Sequence, residues 1–115
     1  MADTIVTGQQ IGLLGGPLYT TCKVLGAAFL AREIGGRAIY WLETNDADFE
    51  EINHVTILNR EHQLVTHRWE LDTGGRSTGT IPVNEALVDL LNRVFDDLPE
   101  TSFTPALRGL ALECY

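Results

Sequence analysis

The feature that most restricts the fold lies within the first 43 residues, where two β-rich runs flank one helix-length segment. Thr4 to Thr7 is short and β-branched, ends at Gly8, and reads as a buried strand. The loop Gly8 to Gly16, GQQIGLLGG, follows, and Pro17 stands where a first helical residue belongs, since its missing N–H would be unpaired there anyway. Leu18, Cys22, Leu25, Gly26, Phe29 and Leu30 then recur at helical spacing and predict a core-facing stripe. The Gly35-Gly36 pair closes that helix, because glycine takes the left-handed conformation of a helix end. Arg37 to Glu43, RAIYWLE, has the pattern of a strand covered on both faces. Strand, helix and strand in this order imply a right-handed crossover and a parallel pair. The loops after Thr7 and after Glu43 would then leave the same carboxyl edge, where open parallel sheets bind ligands.

Beyond this unit, Thr44 to Asn53 is acidic and has room for one helical turn. His54 to Asn59 and Leu64 to Leu71 read as strands, joined through Arg60 to Gln63 as a hairpin. In the second of them Val65, His67, Trp69 and Leu71 share one face, and Thr66, Arg68 and Glu70 the other. Asp72 to Thr80 holds three glycines and predicts a mobile loop. Leu87, Leu90, Leu91 and Val94 predict a helix over Asn84 to Leu98, ended by Pro99. Thr104-Pro105 is a cap and first-turn pair opening a last helix, which runs into Tyr115 with no stop signal. The chain is therefore expected to stop inside an element. The fold class is α/β, with parallel strands plus a β-hairpin.

At 115 residues the chain has room for one domain, and an apolar fraction of 44% is enough for a packed core. A net charge of −8 with scattered basic residues argues against nucleic-acid or anionic-membrane partners. Cys22 and Cys114 lie far apart without CxxC spacing, so neither a disulfide framework nor a zinc site is expected. The N-terminal stretch lacks a basic start, and Gln9, Gln10, Gly15, Gly16 and Pro17 interrupt it. It fits neither a signal peptide nor a membrane span, and a cytoplasmic location is expected.

Two segments carry chemistry. In GQQIGLLGGPLYTTCK, residues 8 to 23, four glycines in nine residues allow close backbone approach to a ligand. The following helix start suits a carboxylate or phosphate, with Tyr19 in its first turn and Lys23 one turn on. The pattern is neither GxGxxG nor a Walker loop, and a tight turn with packing glycines remains the alternative. In WLETNDADFEEINH, residues 41 to 54, a buried strand ends in Glu43, and Asp46 and Asp48 crowd the loop. Such carboxylates raise one another's pKa, hold a cation such as Mg²⁺, or grip a substrate ammonium. A solvated loop with Asp46 or Asp48 as N-cap is the alternative. Glu51-x-x-His54 matches half of a di-iron motif but lacks the four long helices that motif needs, and no metal site is expected.

Together the two segments resemble the cysteine ligases of bacillithiol biosynthesis, the cysteine-adding enzymes. The pattern TGQQ-x-GL-x-GGP-x-YT-x-x-K is met almost residue for residue, and the W…D-x-DF-x-E-x-NH stretch follows about twenty residues on. The likeness continues more loosely through Thr80-Ile81-Pro82 and the helix after it. The resemblance implies a three-layer Rossmann-like core, akin to class I aminoacyl-tRNA synthetases and nucleotidylyltransferases. It implies that L-cysteine is joined to the amine of glucosaminyl malate, with ATP, and Mg²⁺ beside it, driving acyl activation. Gly8, Gln9, Gln10, Gly15, Gly16, Tyr19 and Asn53 would bind substrate, and Asp46, Asp48, His54 and Lys23 would carry the chemistry. Family members are several times longer and are expected to dimerise through a coiled coil, so residues 1–115 resemble a truncated, partial domain without activity of its own. The family commonly has His between the two acidic residues where Ala47 stands, which removes that imidazole. A Rossmann-like module that binds an anionic metabolite or nucleotide without chemistry is the other reading.

Overall fold

The structure is a computed structural model that describes residues 3–45 and 48–115. Strand β1 spans Thr4–Gln10 and pairs in parallel with β2, Arg37–Glu43. The register runs from Thr4 opposite Arg37 to Gln10 opposite Glu43, and Ile11 N–H extends the ladder to the Glu43 carbonyl at 3.4 Å. The strand is therefore longer than the expected Thr4 to Thr7. Gly8 does not open a loop; it sits inside the pair, where a Cβ would lie 2.7 Å from the Trp41 carbonyl oxygen. Close strand packing is the reason for that glycine.

Helix α1, Leu18–Glu33, crosses between the two strands and packs on both. Pro17 caps it in extended conformation rather than forming its first residue. At its other end Gly35, at φ 65°, and Gly36 turn back, with Gly36 N–H reaching the Ala31 carbonyl at 2.8 Å. The buried face of α1 differs from the expected one. Thr20, Ala27 and Ala31 meet the sheet, whereas Leu18 is 78% and Phe29 63% exposed, with Leu25 and Leu30 also outward. Small residues lie inward because they let the helix approach the strands closely. β2, expected to be covered on both faces, also stands open, and Trp41 is 65% exposed.

The second half holds the core. Helix α2 is the single turn Phe49–Ile52; β3, His54–Leu58, and β4, Leu64–Arg68, form the expected antiparallel hairpin. Asn59 Oδ1 accepts from the N–H groups of Glu61 and Gln63 and fixes the hairpin turn. The alternation in β4 holds, with Val65 and His67 turned inward and Thr66 and Arg68 exposed. Helix α3, Glu85–Asp97, buries Leu87, Leu90, Leu91 and Val94 against Phe49 and Trp69, and Leu91 and Val94 are 0% exposed. Phe49 and Trp69 meet edge to face at 5.3 Å, the geometry that aromatic quadrupoles favour. Asn84 Oδ1 caps α3 on Leu87 N–H and also accepts from Trp69 Nε1, so one side chain joins the helix start to the core. Helix α4, Thr104–Cys114, is tied to α3 by Arg108, which reaches Asn92 and Asp96. Its Leu107, Leu110 and Leu112 are exposed.

The segment expected to be a mobile loop is anchored at its end. Residues Thr78–Thr80 form a 3₁₀ turn, and the Thr44 carbonyl accepts from Gly79 N–H at 2.9 Å, Ser77 Oγ at 2.6 Å and Thr78 Oγ1 at 3.2 Å. A Cβ on Gly79 would lie 2.7 Å from Thr44 Cβ, so glycine is there for contact, not for freedom. No helix among the described residues is long and apolar enough to cross a membrane.

Candidate functional site

The parallel register puts the two sequence-selected loops side by side. Gln10 is opposite Glu43, so the glycine-rich loop and the acidic loop leave the same carboxyl edge, as the crossover argument requires. Asp46 and Ala47 lie outside the described residues.

The glycine-rich loop is held by a peg and by a strained backbone. Leu13 is buried in the core with Phe49, Trp69 and Leu87, which fixes the loop onto the α3 side of the molecule. Residues Leu13–Gly15 form a 3₁₀ turn in which Leu14, at φ 54°, is left-handed, followed by Gly15 at 85° and Gly16 at 71°. A left-handed leucine is costly, and the Tyr115 hydroxyl steadies it by accepting Leu14 N–H at 3.2 Å and donating to the Gly12 carbonyl at 3.4 Å. Burial pushes the Tyr115 phenol up, the Leu14 bond opposes this, and the nearby Cys114 adds to the rise.

This geometry corrects the expected role of Gly15 and Gly16. Their N–H groups are engaged, Gly15 with the Gly12 carbonyl at 3.3 Å and Gly16 with the Leu13 carbonyl at 3.0 Å. They do not form an anion cradle. A Cβ on Gly15 would meet nothing within 4 Å and one on Gly16 only Thr20 Oγ1 at 3.7 Å. Their positive φ angles, not ligand approach, require glycine.

Between this loop and the start of the hairpin lies a cleft of about 380 Å³, within the range of small-molecule sites. Gln9, Gln10, Gly12 and Gly16 form one wall, and Glu51, His54 and Thr56 face them. Of the residues selected from sequence, Gln9, Gln10, Gly16 and His54 are thus brought together. Gly8, Gly15, Tyr19, Lys23, Asp48 and Asn53 are not in the lining.

Two of the latter act on residues that are. Lys23 Nζ donates to the Gly8 carbonyl and to Gln9 Oε1, the second at 3.1 Å, and lies 5.2 Å from the centre of the Tyr19 ring. An ammonium has only donors, so the Gln9 atom it meets is the oxygen and the amide NH₂ is left for other partners. Asn53 is 1% exposed, and both ends of its amide are engaged: Nδ2 donates to the Trp69 carbonyl, while Oδ1 accepts from Arg68 Nη1 at 2.8 Å. It braces the hairpin from behind the lining. His54 Nδ1 lies 3.3 Å from the same Oδ1. Because that oxygen only accepts, Nδ1 is the donor in this contact, and Nε2 is the ring nitrogen left for another partner.

Asp48 stands at the N-cap position of α2, where its carbonyl accepts Glu51 N–H at 3.1 Å. No group of three or more His, Cys, Asp or Glu side chains among the described residues is placed to hold a metal ion. Among the described residues, Glu51 and His54 are the ionisable side chains of the lining. With no Lys or Arg in it and with the Gly15 and Gly16 N–H groups engaged, the donor set does not fit a triphosphate. Sequence reading passed over Leu13 and met Glu51 only in the rejected Glu51-x-x-His54 motif. Leu13 was hidden among the glycines, and nothing in the acidic run set Glu51 apart from Glu50.

Residues 1–115 match the family described as bacillithiol biosynthesis BshC, N-terminal Rossmann-like domain. The chain is 33% identical over 121 residues to a Staphylococcus haemolyticus protein named "Putative cysteine ligase BshC", covering 97% of this chain and 22% of that protein. Proteins of the same name from Staphylococcus carnosus and Salinibacter ruber are each 32% identical, over 94% and 90% of this chain and 22% and 20% of theirs. The chain thus spans about a fifth of the length of these relatives.

Proposed function

Because the chain belongs to the family of BshC N-terminal Rossmann-like domains, we propose that it holds L-cysteine for a cysteine ligase of bacillithiol biosynthesis. In this reading the cysteine carboxyl carbon is joined to the amine nitrogen of glucosaminyl malate. The observation that carries it is the convergence of Gln9, Gln10 and His54 on one cleft at the carboxyl edge of the parallel pair, in a chain of this family. Forming the amide bond removes a proton from the attacking amine. His54 Nε2, whose ring is oriented through Nδ1 by Asn53, is the base that takes it. For the C–N bond to form, one carboxylate C–O bond must break, and we propose that this oxygen leaves joined to a phosphate group derived from ATP, with Mg²⁺ beside it. No contact to ATP is assigned to the cleft residues, since they do not form a triphosphate site.

A second reading, an amino-acid-holding module without chemistry, is favoured by the absence of Lys and Arg from the lining. Isothermal titration with L-cysteine tests the first half of the proposal. Saturable binding, weakened by His54→Ala, is expected, and a chain that takes up no cysteine would contradict both readings of the cleft. Mass spectrometry of a mixture with L-cysteine, glucosaminyl malate, ATP and Mg²⁺ then separates them. An amide product makes the chain catalytic; binding without product leaves the holding module.

A further inference from the structure

The two consecutive glutamates of α2 are used differently. Glu50 pairs with Arg68 at 3.0 Å on the hairpin and belongs to the scaffold. Glu51 lines the cleft, and its carboxylate has no hydrogen-bond or ion-pair partner among the described residues. The cation bonded to the cleft wall, Lys23, is turned to the Gly8 carbonyl and to Gln9 Oε1. Among the described residues the lining therefore offers the unneutralised negative charge of Glu51 and, from Gln9, a neutral amide whose oxygen is already taken. A carboxylate facing a cleft attracts a cationic group, whereas an amide NH₂ serves an anionic oxygen without bringing positive charge.

We propose that the cleft reads a zwitterion, with Glu51 taking the α-ammonium and the Gln9 NH₂ taking the α-carboxylate of an amino acid. Lys23 is then a positioning residue that fixes which way the Gln9 amide faces. The apolar remainder of the lining, Ile11, Leu13, Pro17, Leu18, Ile52 and Val55, is suited to a short, weakly polar side chain such as a thiol. This rests on the reading of the cleft as a cysteine site and adds the two groups that select the ligand's charged ends.

Three probes separate the ends: L-cysteine, cysteamine, which lacks the carboxylate, and 3-mercaptopropionate, which lacks the ammonium. Each is titrated calorimetrically into the chain and into two near-isosteric variants. Glu51→Gln is expected to weaken cysteine and cysteamine about two- to fivefold, as for loss of an exposed ion pair, and to spare 3-mercaptopropionate. Gln9→Glu keeps an oxygen on Lys23 but replaces the NH₂, so it is expected to weaken cysteine and 3-mercaptopropionate and spare cysteamine. Retained binding of the spared probe shows that each variant is folded. Equal loss of all three probes, or loss of none, overturns the clamp while leaving cysteine binding itself in place. If the unaltered chain binds no cysteine, the reading of the site falls and the clamp with it.

Discussion

Helices α1 and α3 carry comparable numbers of leucines, yet they meet opposite fates. α3 places Leu87, Leu90, Leu91 and Val94 on one stripe and buries them almost completely. α1 is apolar around most of its circumference, rests on the sheet through Thr20, Ala27 and Ala31, and leaves Leu18, Leu25, Phe29 and Leu30 in solvent. The difference teaches what a hydrophobic stripe means. A one-sided stripe is satisfied by one packing partner, whereas an all-round apolar helix needs cover on several sides. The α2–β3–β4–α3 body closes its core with Leu13 of the glycine-rich loop. The β1–α1–β2 unit presents the cleft edge and a large apolar surface together.

The largest effect should come from cutting the core side of this comparison. Leu91→Ala is expected to cost about 2–5 kcal/mol in urea unfolding, the range for a buried leucine that leaves a cavity. The matching change in α1, Leu25→Ala, should stay within about 0.5 kcal/mol, because that side chain is half exposed. Similar losses at both positions would show that α1 is packed as tightly as α3.

Next in size is the loop that joins the two regions. Gly16→Val places a β-branched residue at φ 71°, which is expected to cost about 1–3 kcal/mol and to abolish cysteine binding by displacing the cleft wall. Gln63→Ala, on the hairpin turn, should leave binding unchanged. Normal binding by the Gly16 variant would mean that the loop serves packing alone.

How much of this was legible in the sequence follows the range of the interactions involved. The stop at Gly35-Gly36, the α3 stripe and the alternation in β4 are local patterns, and each was found where expected. The shared edge of the two loops followed from the handedness of a crossover and is confirmed by Gln10 lying opposite Glu43. What failed depended on partners distant in sequence. Gly8 looked like the start of a loop because its reason for being glycine, Trp41, is 33 residues away. Asp72 to Thr80 looked mobile because its anchor is the Thr44 carbonyl. Asn53 was assigned through the family resemblance alone, and its hold on Arg68 and Trp69 across the hairpin could not be read from its own segment. Glu51 could not be told from Glu50 without knowing that only Glu50 reaches Arg68.

A smaller effect concerns the hydroxyl that steadies Leu14. Burial raises the Tyr115 phenol above the ordinary tyrosine value, about 10. The folded state thus keeps this proton to higher pH than the unfolded state. The associated stability is fully present below about pH 10 and is lost as pH rises through the folded value. The phenolate absorbance of the chain minus that of Tyr115→Phe should titrate above pH 10. A midpoint at or below the ordinary value would place the ring in solvent and remove its hold on the loop.

The central claim, that the cleft between the glycine-rich loop and the hairpin start holds L-cysteine, is tested most directly by two-dimensional ¹H–¹⁵N NMR of the labelled chain during cysteine titration. Saturating shifts are expected at the Gln9 side-chain NH₂ and at the backbone amides of Gly12, Gly16, Glu51 and Thr56, with Glu61 to Gln63 unmoved. Shifts at the hairpin turn instead, or none at the cleft, would contradict it.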